Sequence, residues 1–210
     1  VFVGNSYTNF NNLPQQVETF LEAMPGRNTM TTTKLTGGGM TLADHAQRYV
    51  DGSSWTSTID NPHGWTILQD QSQIPGFPNT SSYWTDSRDG LIQLAQASTA
   101  AGAKNMLFLT WGYRNGDQNH NPQRYSDYET MQNRITDGYL NYASETETAT
   151  GTTVYIAPIG ELYRYVHTED FSTFESLYNS DGSHPSQLGT KFIALGYTAA
   201  LSGRSIDSLS

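Results

Sequence analysis

Five short apolar runs alternate along this chain with longer segments of helical period, and that alternation leaves few architectures open. The strand-like runs are Val1–Val3, Thr29–Leu35, Thr66–Gln69, Asn105–Thr110 and Val154–Ala157. Between and after them, helical spacing covers Leu13–Met24, Leu42–Tyr49, Asp86–Ala101, Tyr125–Thr150 and Ser186–Ser202. Gly102-Ala103 and Gly151-Thr152 stand where helices should stop before strands. Strands separated by helices form right-handed crossovers, so the expectation is an α/β fold with a five-stranded parallel sheet covered on both faces. Ligands of such sheets bind beyond the carboxyl ends of the strands. The loops after Val3, Leu35, Gln69, Thr110 and Ala157 should therefore share one rim.

The chain has 210 residues, which suits a single domain over residues 1–204, with 205–210 as a tail. Its formal charge is −9, and its three lysines, Lys34, Lys104 and Lys191, form no basic run. Nucleic acid and anionic membrane surfaces are therefore poor partners. No apolar stretch approaches the ~20 residues of a membrane-spanning helix. Cysteine is absent, which removes disulfides, thiolate metal sites and cysteine nucleophiles. The surface instead draws on Ser, Thr, Asn and Gln, with thirteen tyrosines and four tryptophans. That composition suits neutral, hydroxyl-rich ligands and a secreted or periplasmic protein. No signal peptide is visible in a chain that opens inside its first strand.

Two short motifs at opposite ends carry the candidate chemistry. Gly4-Asn5-Ser6-Tyr7-Thr8 follows the first strand directly, where a turn can hold a serine hydroxyl at the sheet rim. Asp181-Gly182-Ser183-His184-Pro185 precedes the last helix, with the acid three residues before the base. Serine, histidine and carboxylate are the parts needed to activate a hydroxyl as nucleophile. Each motif also has a plainer reading: Asn-Ser and Asp-Gly are ordinary turn formers, and Ser183 or Ser186 can cap a helix. The other histidines, His45, His63, His120 and His167, lack a comparable acid–turn–base arrangement. Nor do the Asp and His residues show metal-ligand spacing.

These two motifs resemble the first and last blocks of the SGNH hydrolases, the GDSL-type esterases, and in particular their carbohydrate acetylesterase-like members. Asn5 stands where many members have Asp. The resemblance spans essentially the whole chain and implies a flavodoxin-like three-layer α/β/α sandwich. It implies a Ser6–His184–Asp181 triad working without metal or cofactor. It also implies an oxyanion hole built from the Ser6 amide, a glycine amide after the second strand and a side-chain amide after the third. The second block lies in Thr36-Gly37-Gly38-Gly39-Met40-Thr41, where Gly39 has the best register and Gly38 competes. The third block departs from the usual Gly-x-Asn-Asp and reads Leu68-Gln69-Asp70-Gln71-Ser72-Gln73. Registering Leu68 as the strand's end puts Gln71 at the asparagine position, with Gln69 the competitor; either offers an NH2 donor.

Trp111, after the fourth strand, is a candidate stacking wall for a sugar or aryl group, or else core packing. The implied activity is ester hydrolysis, with a small acyl group such as acetyl on a carbohydrate or other polar ester as substrate. A short-chain lipase-like esterase, a thioesterase or an acyltransferase uses the same acyl-enzyme. A reading of another class is a non-catalytic carbohydrate-binding module on this fold. A nucleotide binder is disfavoured, since neither Gly-x-Gly-x-x-Gly nor a phosphate-loop lysine is present.

Overall fold

The structure is a computed structural model describing residues 1–25 and 30–204. Five strands form one parallel sheet: β1 (Phe2–Gly4), β2 (Lys34–Thr36), β3 (Trp65–Leu68), β4 (Lys104–Phe108) and β5 (Val154–Ala157), in the spatial order β2-β1-β3-β4-β5. Helices cover both faces, which makes the three-layer sandwich of an α/β protein. They are α1 (Ser6–Asn9), α2 (Leu13–Glu22), α3 (Leu42–Val50), α4 (Ser54–Asp60), α5 (Ser82–Ala100), α6 (Tyr128–Thr150), α7 (Ile159–Glu169), α8 (Phe171–Ser176) and α9 (Gln187–Ser202).

The two-residue period of the strands builds two cores. Phe2, Ile67, Met106 and Phe108 face the layer of α2, α7 and α9, where they meet Val17, Ile193 and Tyr197. Their neighbours Val3, Leu68, Leu107 and Leu109 face α3, α5 and α6, against Leu42, Leu91, Ile135 and Tyr139. Strands buried on both faces read as continuous apolar runs, which is why Met106–Leu109 is apolar without a break.

Element ends follow local chemistry. Thr41 and Asp44 form a reciprocal capping box that starts α3, and Asp127 caps α6 through Thr130 N. Gly151 ends α6 in the left-handed region at φ 66°. The second strand is shorter than expected: Met30–Thr33 lie outside it, and Thr29 lies outside the described residues, as does the expected tail over 205–210. The fourth strand closes at Phe108, and helices expected from Asp86 and Tyr125 begin at Ser82 and Tyr128. Helices α1, α4, α7 and α8 were not expected. Helix α7 was legible all the same, because Ile159, Leu162, Tyr163 and Val166 repeat at i, i+3, i+4 and i+7.

Candidate active site

Because the sheet is parallel, the segments following β1, β2, β3, β4 and β5 emerge along one edge. The chain after β1 turns at once into α1, with Asn5 as its cap: the Asn5 side chain accepts from Tyr7 N at 3.1 Å. Ser6 is thus the first residue of a helix, and its N–H has no preceding helical carbonyl to serve.

His184 arrives at the same place from the other end of the chain. Its Nε2 lies 2.9 Å from Ser6 Oγ, and its Nδ1 lies 2.7 Å from Asp181 Oδ2. An ionised carboxylate only accepts, so Nδ1 carries the proton and Nε2 is left to accept from the serine hydroxyl. The other carboxylate oxygen of Asp181 accepts from Ser183 N and His184 N, both at 2.9 Å. Partial burial pushes the Asp181 carboxyl up, but these backbone and ring donors outweigh it and hold the group below the usual carboxylate range.

Packing holds the histidine loop against the serine turn. Phe10 stacks on the His184 ring at 4.8 Å, and Tyr7 meets it edge-on at 5.5 Å. Tyr7 Oη and Ser183 Oγ share a hydrogen bond at 2.7 Å, while Trp111 Nε1 donates to Ser183 O at 3.0 Å. Arg114 N donates to Gly182 O at 2.8 Å from the far side.

That bond to Ser183 also corrects the expectation for Trp111. Its side chain is fully buried, sandwiched between Tyr7 at 4.6 Å and Tyr163 at 4.7 Å, with interplanar angles of 3° and 10°. No ligand can stack on a ring whose two faces are already covered. Trp111 belongs to the core and supports the loop that carries His184.

The two glutamine candidates separate cleanly. Ile67 faces one layer and Leu68 the other, so Gln69 turns back to the first, beneath the serine turn. There its Oε1 accepts from Asn5 N at 2.9 Å and Thr8 Oγ1 at 2.8 Å, and its Nε2 donates to Asp70 O. Gln69 is fully buried and committed to holding the turn. Gln71 instead lines a cleft of about 660 Å³ together with Asp181 and His184. Its amide nitrogen donates to Gln73 Oε1 at 3.2 Å, and its oxygen accepts from Gln73 N at 2.7 Å.

The glycine loop sits beside the serine turn, held by Gly37 N to Gly4 O at 3.4 Å and Asn5 Nδ2 to Met40 O at 3.2 Å. Gly39 has φ 69°, a conformation that favours glycine. Gly38 and Gly39 line a separate depression of about 320 Å³ with Asp44, Gln47 and Arg48, not the His184 cleft. Among the described residues, neither of their amides donates to a protein acceptor.

Three supporting residues were missed in the sequence. Asp70 is fully buried, and its carboxylate accepts from Leu42 N, Gln71 N, Ser87 Oγ and Tyr142 Oη at 2.8–3.0 Å. Burial pushes its pKa up to about 6 against the pull of those donors. It joins the start of α3, just after the glycine loop, to the Gln71 loop. His45, also fully buried, receives Trp55 Nε1 on Nδ1 at 2.8 Å, so its Nε2–H donates to Gly4 O at 2.9 Å. Desolvation lowers its pKa to about 4 and keeps it neutral. Asp117, by the cleft, accepts from Gln73 Nε2. Each also has a partner distant in sequence, and no local pattern marks that contact. Among the described residues, no group of three or more His, Cys, Asp or Glu is placed to hold a metal ion. No described helix is long and apolar enough to cross a membrane.

No family model and no curated protein matches this chain. Solved structures do. A protein from Slackia heliotrinireducens described as a candidate SGNH hydrolase superposes with a TM-score of 0.74 at 22% identity, covering 95% of this chain and 96% of its own. A lipase/acylhydrolase from Enterococcus faecalis gives 0.65 at 16% identity, covering 96% of this chain and 95% of the other. A catalytic mutant of an acetylxylan esterase from Geobacillus stearothermophilus gives 0.69 at 14% identity, covering 98% and 94%. The likeness at such identities is one of backbone: this chain has the SGNH hydrolase fold.

Proposed function

We propose that this protein is a serine ester hydrolase that removes a small acyl group from a polar, carbohydrate-like ester. The observation that carries the reading is the continuous hydrogen-bonded chain from Ser6 Oγ through His184 to Asp181 at the rim of the sheet. On this reading His184 Nε2 takes the serine proton as Oγ attacks the ester carbonyl. Asp181 keeps the proton on Nδ1 and stabilises the imidazolium that forms. The Ser6 amide and the Gln71 side chain receive the negative charge of the tetrahedral intermediate. His184 then protonates the leaving alcohol, and water repeats the two steps on the acyl-enzyme.

The polar carrier is argued from the cleft. Its lining includes Gln71, Arg114, Asn115, Gln118 and Asn119, and no Ala, Val, Ile, Leu, Met or Phe is among the residues that form it. Amide and guanidinium groups can bind hydroxyls, whereas a long acyl chain would gain little burial there. The fold's likeness to a protein described as an acetylxylan esterase agrees with this choice.

Three measurements test the reading. Wild-type protein should turn over p-nitrophenyl acetate and be labelled by a fluorophosphonate, and Ser6→Ala should lose both while keeping its fold. Full turnover by Ser6→Ala would place the chemistry elsewhere. A series of acetyl, butyryl and octanoyl esters should favour acetyl; preference for octanoyl would reject the small acyl group.

A further inference from the structure

The geometry points to Asp117 and Gln73 as positioning residues that orient the Gln71 amide, so that its nitrogen rather than its oxygen faces the cleft. This rests on the hydrolase reading above and deepens it. A side-chain amide is an oxyanion donor in one orientation only; rotated by half a turn it presents lone pairs to a developing negative charge. Something must choose between the two.

Asp117 makes that choice at one end. Its side chain is 2% exposed, and it accepts from His120 N at 3.1 Å, Asn121 Nδ2 at 3.1 Å, His120 Nδ1 at 3.3 Å and Gln73 Nε2. Burial raises its pKa, yet the Asn121, His120 and Gln73 donors outweigh it and hold the carboxyl below the usual range, so it stays ionised. A carboxylate cannot donate, so Gln73 must turn its NH2 towards Asp117. Its Oε1 then points the other way, at Gln71 Nε2.

A second contact from the same residue supports this orientation, at the other end of the Gln71 amide. Gln73 N, a donor by necessity, reaches Gln71 Oε1 at 2.7 Å. The frame itself is anchored: Tyr125 Oη donates to Gln73 O at 2.5 Å, Asp117 N to Tyr125 O at 2.8 Å and Gln71 N to Asp70 Oδ1 at 2.8 Å. One proton of the Gln71 NH2 goes to Gln73. The other has no acceptor among the described residues, in a side chain that borders the same cleft as His184. The buried charge thus acts on the Gln71 amide through the Gln73 side chain.

A double-mutant cycle on p-nitrophenyl acetate tests this. Gln71→Ala should lower kcat by ~100-fold, the scale of one lost oxyanion donor. Asp117→Asn, which removes the acceptor-only constraint, should lower kcat about tenfold with KM little changed. In the Gln71→Ala background Asp117→Asn should have no further effect on kcat, because the group it orients is gone. Gln73→Leu should behave like Asp117→Asn and spares the buried carboxylate, which covers the case of a misfolded Asp117 variant. Equal losses from Asp117→Asn in both backgrounds overturn the proposal, as does an unchanged kcat in Gln71→Ala. Failure of wild-type protein to react with fluorophosphonate would overturn the hydrolase reading instead.

Discussion

The side-chain oxygen of Gln69 accepts the backbone N–H of Asn5 at 2.9 Å, tying the end of β3 to the residue before Ser6. The turn that presents the serine is therefore braced from a neighbouring strand. Gly4 makes room for the brace: a Cβ there would fall 2.5 Å from Gln69 Oε1 and against Thr8 Oγ1. Gly4→Ala should displace Gln69, cost about 1–3 kcal/mol in stability and lower ester turnover more than tenfold. Thermal unfolding and p-nitrophenyl acetate kinetics check it; native values in both would dismiss the brace.

Asp181→Asn keeps the shape of the acid but reverses its chemistry. Its Oδ1 could still receive Ser183 N and His184 N, while its NH2 would face His184 Nδ1. The imidazole would then carry its proton on Nε2 and could not accept one from Ser6. A fall in kcat on the order of 10³–10⁴ is expected, with little change in unfolding temperature. A loss below tenfold would remove Asp181 from the triad.

Trp111→Phe separates a buried support from a binding wall. Phenylalanine retains much of the stack with Tyr7 and Tyr163 but deletes the donor to Ser183 O. Stability should fall by about 1 kcal/mol for the lost bond, and kcat should fall with it as the His184 loop loosens. KM for a carbohydrate ester should hold steady. A rise in KM with kcat intact would return Trp111 to the substrate.

His45 makes stability depend on pH. Its pKa is near 4 in the fold against 6.5 in the open chain, so the unfolded state takes up the proton first. The stabilising contribution is complete above about pH 6.5 and is lost as the pH falls towards 4, on the order of 3 kcal/mol in all. Asp70, raised to about 6, works in the opposite sense below that pH, so the comparison needs a variant. His45→Phe removes one of the two donors to Gly4 O and leaves Trp55 Nε1 without its acceptor, and should be less stable than wild type at pH 7 by about 1–3 kcal/mol. That gap should narrow as the pH is lowered from 6.5 to 4 in urea titrations. A constant gap would show that His45 does not titrate with folding.

What could be read in the residues was local. Runs such as Asn105–Thr110 between helical segments dictate a parallel sheet, because apolar periodicity is set within a few residues. Asp181 and His184 lie three apart in one turn, so their pairing needs little beyond that turn. Reading β3 as ending near Leu68 was enough to nominate both glutamines. Tertiary structure decided the rest. It set Ser6 and His184 2.9 Å apart across 178 residues, turned Gln69 inward and Gln71 to the cleft, and closed Tyr7 and Tyr163 over Trp111. A polar side chain takes its role from whichever donor, acceptor or solvent it meets, and those partners come from chain segments that local pattern cannot bring together.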